Sequence, residues 1–332
     1  MDNRKTAVVT GANGFVGSHL VDLLLENNYI VRCITRKSSD LKWLMDKNIE
    51  IFNSGLMDKD GLRRAFQGAD YIYHVAGVVK SKKPEGYYLG NVETTRVLLE
   101  TAVEFKNTIK KFLIVSSQTA AGPSLNGIAI TEEEPSNPIT TYGRSKLAEE
   151  ELAKSFMNVL PITICRAPAV FGERDTEIFI FFNTFSKGLM TTIGFDKKKI
   201  SLIHVKDLVN GFMLAAESDK SSGQTYFISS EKYYTWDEIG DITSKVLGKK
   251  PIKVRVPHSI VYTIAAFAQF AAMFSNKPAT LNIEKARDLT RHAWICDTSK
   301  AIRDLNYHQR IPIEEGIKMT CEWYNQQGWI KY

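Results

Sequence analysis

Thr10-Gly11-Ala12-Asn13-Gly14-Phe15-Val16-Gly17 follows the apolar run Ala7-Val8-Val9 and leads into Ser18 to Leu25, where apolar residues recur at helical spacing. The pattern predicts strand, tight turn and helix in succession. Glycine suits the turn for two reasons: it tolerates positive φ, and the missing Cβ lets a diphosphate approach the backbone N–H groups that open the helix. The spacing is Gly-x-x-Gly-x-x-Gly rather than the more common Gly-x-Gly-x-x-Gly, so the motif alone leaves open a glycine turn with no ligand.

Outward from this turn, Tyr29 to Thr35 reads as a second strand, Ile49 to Phe52 as a third, Asp60 to Gln67 as a short helix and Tyr71 to Gly77 as a fourth strand. A long helix is expected from about Asn91 to Lys106, a fifth strand at Lys111 to Val115, a loop over Ala121 to Thr141, a helix from near Tyr142 and a sixth strand at Ile162 to Cys165. Strands alternating with helices predict an α/β fold built on a doubly wound parallel (Rossmann) sheet. We place this domain at residues 1–170 and a smaller C-terminal substrate-binding lobe mainly at 171–332, with 202–229 returning to the first sheet. In such folds ligands bind beyond the carboxyl ends of the strands, where His74-Val75-Ala76-Gly77 and Ser116-Ser117 fall.

The chain has 332 residues, 44% hydrophobic and 24% charged, enough for a large core and unlike a disordered protein. Its net charge of +6 is dispersed, with one compact run, Lys197-Lys198-Lys199, that reads as a solvated loop rather than a nucleic-acid patch. Cys33, Cys165, Cys296 and Cys321 lie far apart with no metal-ligand spacing, so no metal site is expected and the thiols read as reduced, in the core or near the surface. Met1 to Lys5 runs straight into the first strand, which suggests no signal peptide and a cytoplasmic location. Pro257 to Phe274 is the most apolar stretch. It is short for a transmembrane segment and contains Gln269, so a buried or substrate-covering helix is expected, with a membrane-surface helix as the second reading.

Two further features carry chemistry. Arg36, with Lys37 beside it, stands 19 residues past Gly17, where a dinucleotide fold meets the adenosine ribose. A basic residue there suits the 2′-phosphate of NADP, and an exposed strand end is the alternative. Tyr142 and Lys146, four residues apart at a helix start, share one face, so the ammonium favours the phenolate and pulls the tyrosine pKa down from its ordinary value of about 10. Ser117, 25 residues upstream at the end of the fifth strand, can hydrogen-bond a substrate oxygen that Tyr142 also touches.

Together with the glycine loop, this set resembles the extended short-chain dehydrogenase/reductase family, also described as the NAD-dependent epimerase/dehydratase family. The resemblance extends over His74-Val75-Ala76, Asn91 to Thr95, Arg166 to Gly172 and His204 to Leu208. It implies that Gly11, Gly14 and Gly17 shape the diphosphate loop, and that Phe15 and Val16 supply amides to the phosphates. Tyr142 would be the general acid/base, Lys146 would hold the nicotinamide ribose and tune Tyr142, and Ser117 would polarise the substrate oxygen. Pro168 and Val170 would flank the nicotinamide, Ala76 would line the cofactor channel and Asn91 would tie the fourth helix to it. Gly55 stands where many relatives carry an adenine-binding Asp, which moves that contact to the Leu56 backbone or to Asp58. Relatives often dimerise through helices that correspond to Asn91–Lys106 and Tyr142–Met157, which implies a homodimer.

Within the family, Ala169 and Ile200 replace an Asn and an Arg that sugar-nucleotide enzymes use on the diphosphate, and their loss removes strong charge-assisted hydrogen bonds. Phe179 to Phe182 and Pro257 to Phe274 offer either core or an apolar wall for a hydrophobic substrate. The resemblance therefore points to an NADP(H)-dependent oxidoreductase, with NAD(H) possible, acting on a carbonyl or secondary alcohol of a hydrophobic small molecule. It is nearest to the dihydroflavonol-reductase-like and 3β-hydroxysteroid-dehydrogenase-like branches, a likeness carried also by Trp294 to Ala301. The alternatives are a nucleotide-sugar 4-epimerase or dehydratase with tightly bound NAD, and a non-catalytic NADP-binding sensor or scaffold.

Overall fold

The computed structural model describes residues 4–275 and 279–332. The chain opens with strand β1 (Thr6–Thr10), helix α1 (Phe15–Glu26), β2 (Ile30–Ile34), β3 (Glu50–Phe52), α2 (Lys59–Phe66) and β4 (Tyr71–His74). It continues through α3 (Pro84–Tyr88), α4 (Thr94–Val103), β5 (Lys111–Ser117), α5 (Gln118–Ala121), α6 (Thr141–Ser155) and β6 (Ile162–Ala167). The remaining elements are β7 (Ala169–Phe171), α7 (Phe179–Ser186), β8 (Leu189–Ile193), β9 (Lys199–His204), α8 (Val205–Glu217), β10 (Gln224–Phe227), β11 (Tyr233–Thr235) and α9 (Trp236–Leu247). After them come β12 (Ile252–Val256), α10 (His258–Met273), α11 (Ile283–Leu289), β13 (Ala293–Trp294), α12 (Ser299–Leu305) and α13 (Ile313–Gln326).

The expected doubly wound sheet is present, seven-stranded and parallel, in the order β10-β6-β5-β4-β1-β2-β3. Its strands are nearly continuous apolar runs because both faces are covered. Ala7 and Val9 face one core with Leu20 and Leu24 of α1 and Phe212 of α8. Val8, between them, faces the other core with Leu62 of α2, Leu98 of α4 and Ala153 of α6. The strand order reverses between β1 and β4, which opens a crevice at their carboxyl ends, beside Gly11 and Ala76.

A second core gathers Phe171, Phe182, Phe185, Ile239, Ile317 and Tyr324 around the small sheet of β11, β9, β13 and β7. Of the segment 202–229, Leu202 to His204 belongs to β9 in this small sheet, whereas α8 packs on the large sheet and β10 extends it by pairing with β6.

Several expectations are corrected. The fourth strand stops at His74, because the chain beyond it turns so that the Ala76 N–H donates to Thr10 Oγ1 at 3.2 Å. The helix expected from Asn91 begins earlier, at Pro84, whose missing N–H and fixed φ suit a first helical turn. It reaches α4 through a π-helical turn, Leu89–Glu93. In the lysine run, Lys198 is buried, paired with Asp196 at 2.9 Å and donating to the Thr290 carbonyl. The four cysteines, by contrast, are free thiols in the core, one of the two placements expected for them. Phe179 and Phe181 pack on Tyr324 and Trp236 and so belong to the core of the second lobe. The helix predicted over Pro257 to Phe274 forms as α10 but is not buried: within it only Val261 and Ala265 are. One side rests on α11 and on Ile193 of β8 and Val256 of β12, and the other side faces solvent.

Candidate active site

The glycine loop explains itself sterically. Gly11 has φ +66°, and a Cβ on it would lie 2.7 Å from the Ala76 nitrogen. A Cβ on Gly17 would lie 2.1 Å from the Gly11 carbonyl oxygen, so the first turn of α1 can sit this close to the loop only as glycine. Gly14 has an ordinary φ of −81° and caps α1 without a side chain, and the first turn of the helix carries no acid. The N–H groups opening α1 are thus left without a side-chain acceptor at the positive end of a helix dipole, a cradle that fits a dinucleotide diphosphate.

At the far end of the crevice Arg36 and Lys37 are exposed just beyond β2. Gly55, with φ +73°, lies beside Arg36: a Cβ there would be 3.8 Å from Arg36 Cγ. The ion pair at this edge joins Arg32 to Glu50 and leaves Arg36 out. Leu56 turns its side chain to the core. Asp58 caps α2, accepting from the Asp60 and Gly61 amides at 3.1 Å, which takes its carboxylate away from the adenine role considered for it.

Ser117, Tyr142 and Lys146 come together from β5 and α6. Thr140 caps α6, accepting from the Gly143 amide at 3.0 Å, and this sets Tyr142 on the first turn. The Ser117 hydroxyl stands close enough to the Tyr142 phenol to favour its ionised form. It also accepts from the Thr119 hydroxyl at 2.8 Å. Lys146 donates to the Val115 carbonyl at 2.9 Å. Pro168 and Val170 are half-buried between the two lobes, Val170 being paired in β7 with Ile203. Asn91, in the π turn, donates to Ser145 Oγ at 2.9 Å and accepts from the Val78 amide at 2.6 Å, so it ties the β4 loop to α6.

The electrostatics depart from expectation. Burial raises the Tyr142 pKa above the usual phenol value; Lys146 and the Ser117 hydroxyl oppose this, and Glu149 adds to it. Lysine proximity therefore does not produce the net lowering expected from the sequence. Glu149, one turn past Lys146 and fully buried, forms an ion pair with it. Burial works against the Lys146 ammonium, but Glu149, Tyr142 and Glu150 carry its pKa above the ordinary value and keep it charged. Thr95 Oγ1 donates to Glu149 Oε1 at 2.9 Å and lies 2.8 Å from His74 Nε2, while His74 Nδ1 lies 2.7 Å from Thr10 Oγ1. Burial drives the His74 pKa down to about 3, with Lys146 adding to the effect, so the neutral ring joins Thr10 to Thr95 by hydrogen bonds, and Thr95 in turn donates to the carboxylate paired with Lys146.

Sequence reasoning missed Glu149, although its place three residues after Lys146 puts both on one helix face. It also missed Glu284 of α11, which accepts from the Thr141 amide at 2.9 Å and pairs with Arg144 at 3.1 Å. No local pattern marks Glu284, since the contact spans 143 positions. A cavity of about 350 Å³ opens beside the site, lined by Lys82, Lys83, Tyr87, Thr141, Met273 and Glu284 among others. The Tyr87 ring lies 6.3 Å from that of Tyr142. Among the described residues no cluster of three His, Cys, Asp or Glu side chains is placed to hold a metal.

A glycine turn at the head of a parallel sheet, together with a serine, a tyrosine and a charged lysine gathered from β5 and α6, belongs to the class of NAD(P)-dependent oxidoreductases. Comparison with known proteins specifies the family: residues 7–229 match the sequence model of the NAD dependent epimerase/dehydratase family, and the chain belongs to it. It is 26% identical to a ceramide reductase of Caulobacter vibrioides over 99% of this chain and 97% of that protein. It is also 26% identical to a sterol-4-alpha-carboxylate 3-dehydrogenase (decarboxylating) of Dictyostelium discoideum, over 85% of this chain and 94% of that protein. The UDP-glucose 4-epimerase of Thermotoga maritima, solved with UDP-glucose, has the same fold, with a TM-score of 0.79 at 23% identity over 97% of this chain and 99% of its own.

Proposed function

We propose that this protein is an NADP(H)-dependent reductase of a keto group on a hydrophobic, lipid-like molecule. The observation that carries the reading is Tyr142, beside Ser117 and one helical turn from a charged Lys146, next to a cavity that α10 borders. A nicotinamide bound there would supply the hydride. Tyr142 donates its phenolic proton to the substrate oxygen, whose developing charge the Ser117 hydroxyl stabilises. Burial, which raises the Tyr142 pKa, favours the protonated phenol that a proton donor needs. Lys146 steadies the phenolate left behind. Gly11, Gly14 and Gly17, with the Phe15 and Val16 amides, hold the diphosphate. Ala76, Pro168 and Val170 line the nicotinamide end. Arg36 and Lys37 take the 2′-phosphate that separates NADP from NAD, and the Leu56 backbone borders the adenine.

Two relatives are named for a ceramide and a sterol, both lipids, which supports this substrate class. NADPH and NADH titration followed by a screen of long-chain ketones, read by loss of nicotinamide absorbance, tests the reading; turnover only with water-soluble sugars would refute it.

Family membership and the fold also support a 4-epimerase. The positions that would grip a nucleotide-sugar diphosphate are apolar here: Ala169 pairs with Leu202 in the small sheet, and Ile200 packs on the second core. Co-purified NAD together with interconversion of a UDP-sugar would favour that reading. The homodimer through α4 and α6 remains part of the proposal, and sedimentation equilibrium tests it.

A further inference from the structure

Helix α10 is the anomaly of the surface. From Ser259 through the two residues past its end, Phe274 and Ser275, there is no charged residue, yet Ile260 and Ile264 are about half exposed and Phe267, Phe270, Met273 and Phe274 are 72%, 60%, 69% and 81% exposed. Ile260, Ile264, Phe267, Ala271 and Phe274 recur at helical spacing and form one stripe over the full length of the element. Large apolar side chains scattered singly need no explanation, but a continuous stripe marks a contact surface.

Charge beside the stripe indicates what it contacts. Lys82 donates to the Ser275 carbonyl just past the end of α10, and Lys82 and Lys83 share the cavity wall with Ala272 and Met273. The carboxylate in that wall, Glu284, is occupied by Thr141 and Arg144. These lysines stand at the C-terminal end of the apolar helix, where cations next to exposed apolar side chains favour anionic lipid. The same cavity reaches Thr141 and Tyr87, next to Tyr142.

We propose that α10 docks on the surface of an anionic bilayer, with its stripe at the acyl boundary and Lys82 and Lys83 on the lipid phosphates. The cavity mouth then faces the membrane, so a lipid ketone reaches Tyr142 without crossing water; only this last clause rests on the functional reading above. No step requires the chain to span the bilayer, and among the described residues no helix is long and apolar enough to do so.

Flotation of the full chain with phosphatidylcholine vesicles, with and without phosphatidylglycerol, tests this directly. The protein should float with the anionic vesicles and release at high salt. Replacing Lys82 and Lys83 by serine should weaken binding by about fivefold per lysine. Phe267→Ser together with Phe270→Ser should weaken it by at least about tenfold. Because all four side chains are exposed, thermal unfolding should be unchanged, which separates lost docking from lost folding. No flotation of the wild type, or flotation indifferent to both pairs of changes, overturns the proposal. So does a concentration-dependent dimer that the phenylalanine changes return to monomer, for the stripe would then be a contact between two copies. Flotation needs no turnover, and assays on a short water-soluble ketone report the chemistry separately.

Discussion

The carboxylate of Glu149 is ion-paired with the ammonium of Lys146 one turn along α6, and both are buried beneath Tyr142. The cation that should acidify the phenol is thus partly neutralised by a neighbour on its own helix face.

Glu149→Gln should lower the Tyr142 pKa, since it removes an anion that raises it. The acid limb of the kcat/KM profile for alcohol oxidation should move to lower pH. Gln can still accept from Thr95, but a buried ion pair that loses one partner costs on the order of 3 kcal/mol, so Tm should fall as well. An unmoved acid limb would show that Glu149 has no electrostatic role.

Tyr142→Phe keeps the ring and loses the proton. Turnover should drop by at least about a hundredfold while NADPH affinity, measured by fluorescence titration, changes little. Normal turnover in this variant refutes the assigned role.

Arg36→Ala should weaken NADPH binding by about tenfold or more and leave NADH binding nearly unchanged, because a charge-assisted contact to phosphate exists in one cofactor only. Equal losses for both cofactors would remove Arg36 from the 2′-phosphate site.

Gly17→Ala forces a Cβ to within 2.1 Å of the Gly11 oxygen. Relieving the clash requires moving the loop away from α1, at a cost of about 1–3 kcal/mol. Calorimetry should show weakened binding of both cofactors alike, in contrast to Arg36→Ala.

Acid should destabilise the protein before its carboxylates titrate. Burial lowers the His19 pKa to about 4 and the His74 pKa to about 3, so the folded state holds both rings neutral while the unfolded chain protonates them near pH 6.5. The stabilisation is complete above about pH 6.5 and is lost as pH falls toward the folded values, at about 1.4 kcal/mol per pH unit per ring. Tm should therefore fall between about pH 6.5 and 5. His19 Nε2 lies 2.8 Å from the Glu173 carbonyl, so His19→Gln can keep a donor there while making the slope shallower. An identical slope would contradict this account.

The fold was legible because its signals are local. Apolar runs such as Ala7-Val8-Val9 alternate with helical periodicity, and a strand buried on both faces has no polar face to mislead. Gly11, Gly14, Gly17, Ser117, Tyr142 and Lys146 could be picked out because short motifs demand particular residue types. What spacing cannot convey is which side of an apolar helix meets a partner. The stretch around Phe267 reads as core, and tertiary structure alone leaves that side facing solvent.

Sequence by itself determined the order of elements, the parallel sheet and the cradle, since steric demands such as the absence of a Cβ at Gly11 and Gly17 are written residue by residue. The three-dimensional arrangement decided the charge balance at the site. Ser117 reaches Tyr142 across 25 positions, Glu284 reaches Thr141 across 143, and His74 meets Thr95 and Thr10 inside a buried network. Burial also reversed the expected direction of the Tyr142 pKa, because desolvation depends on everything packed around a group and not on its neighbours in the chain.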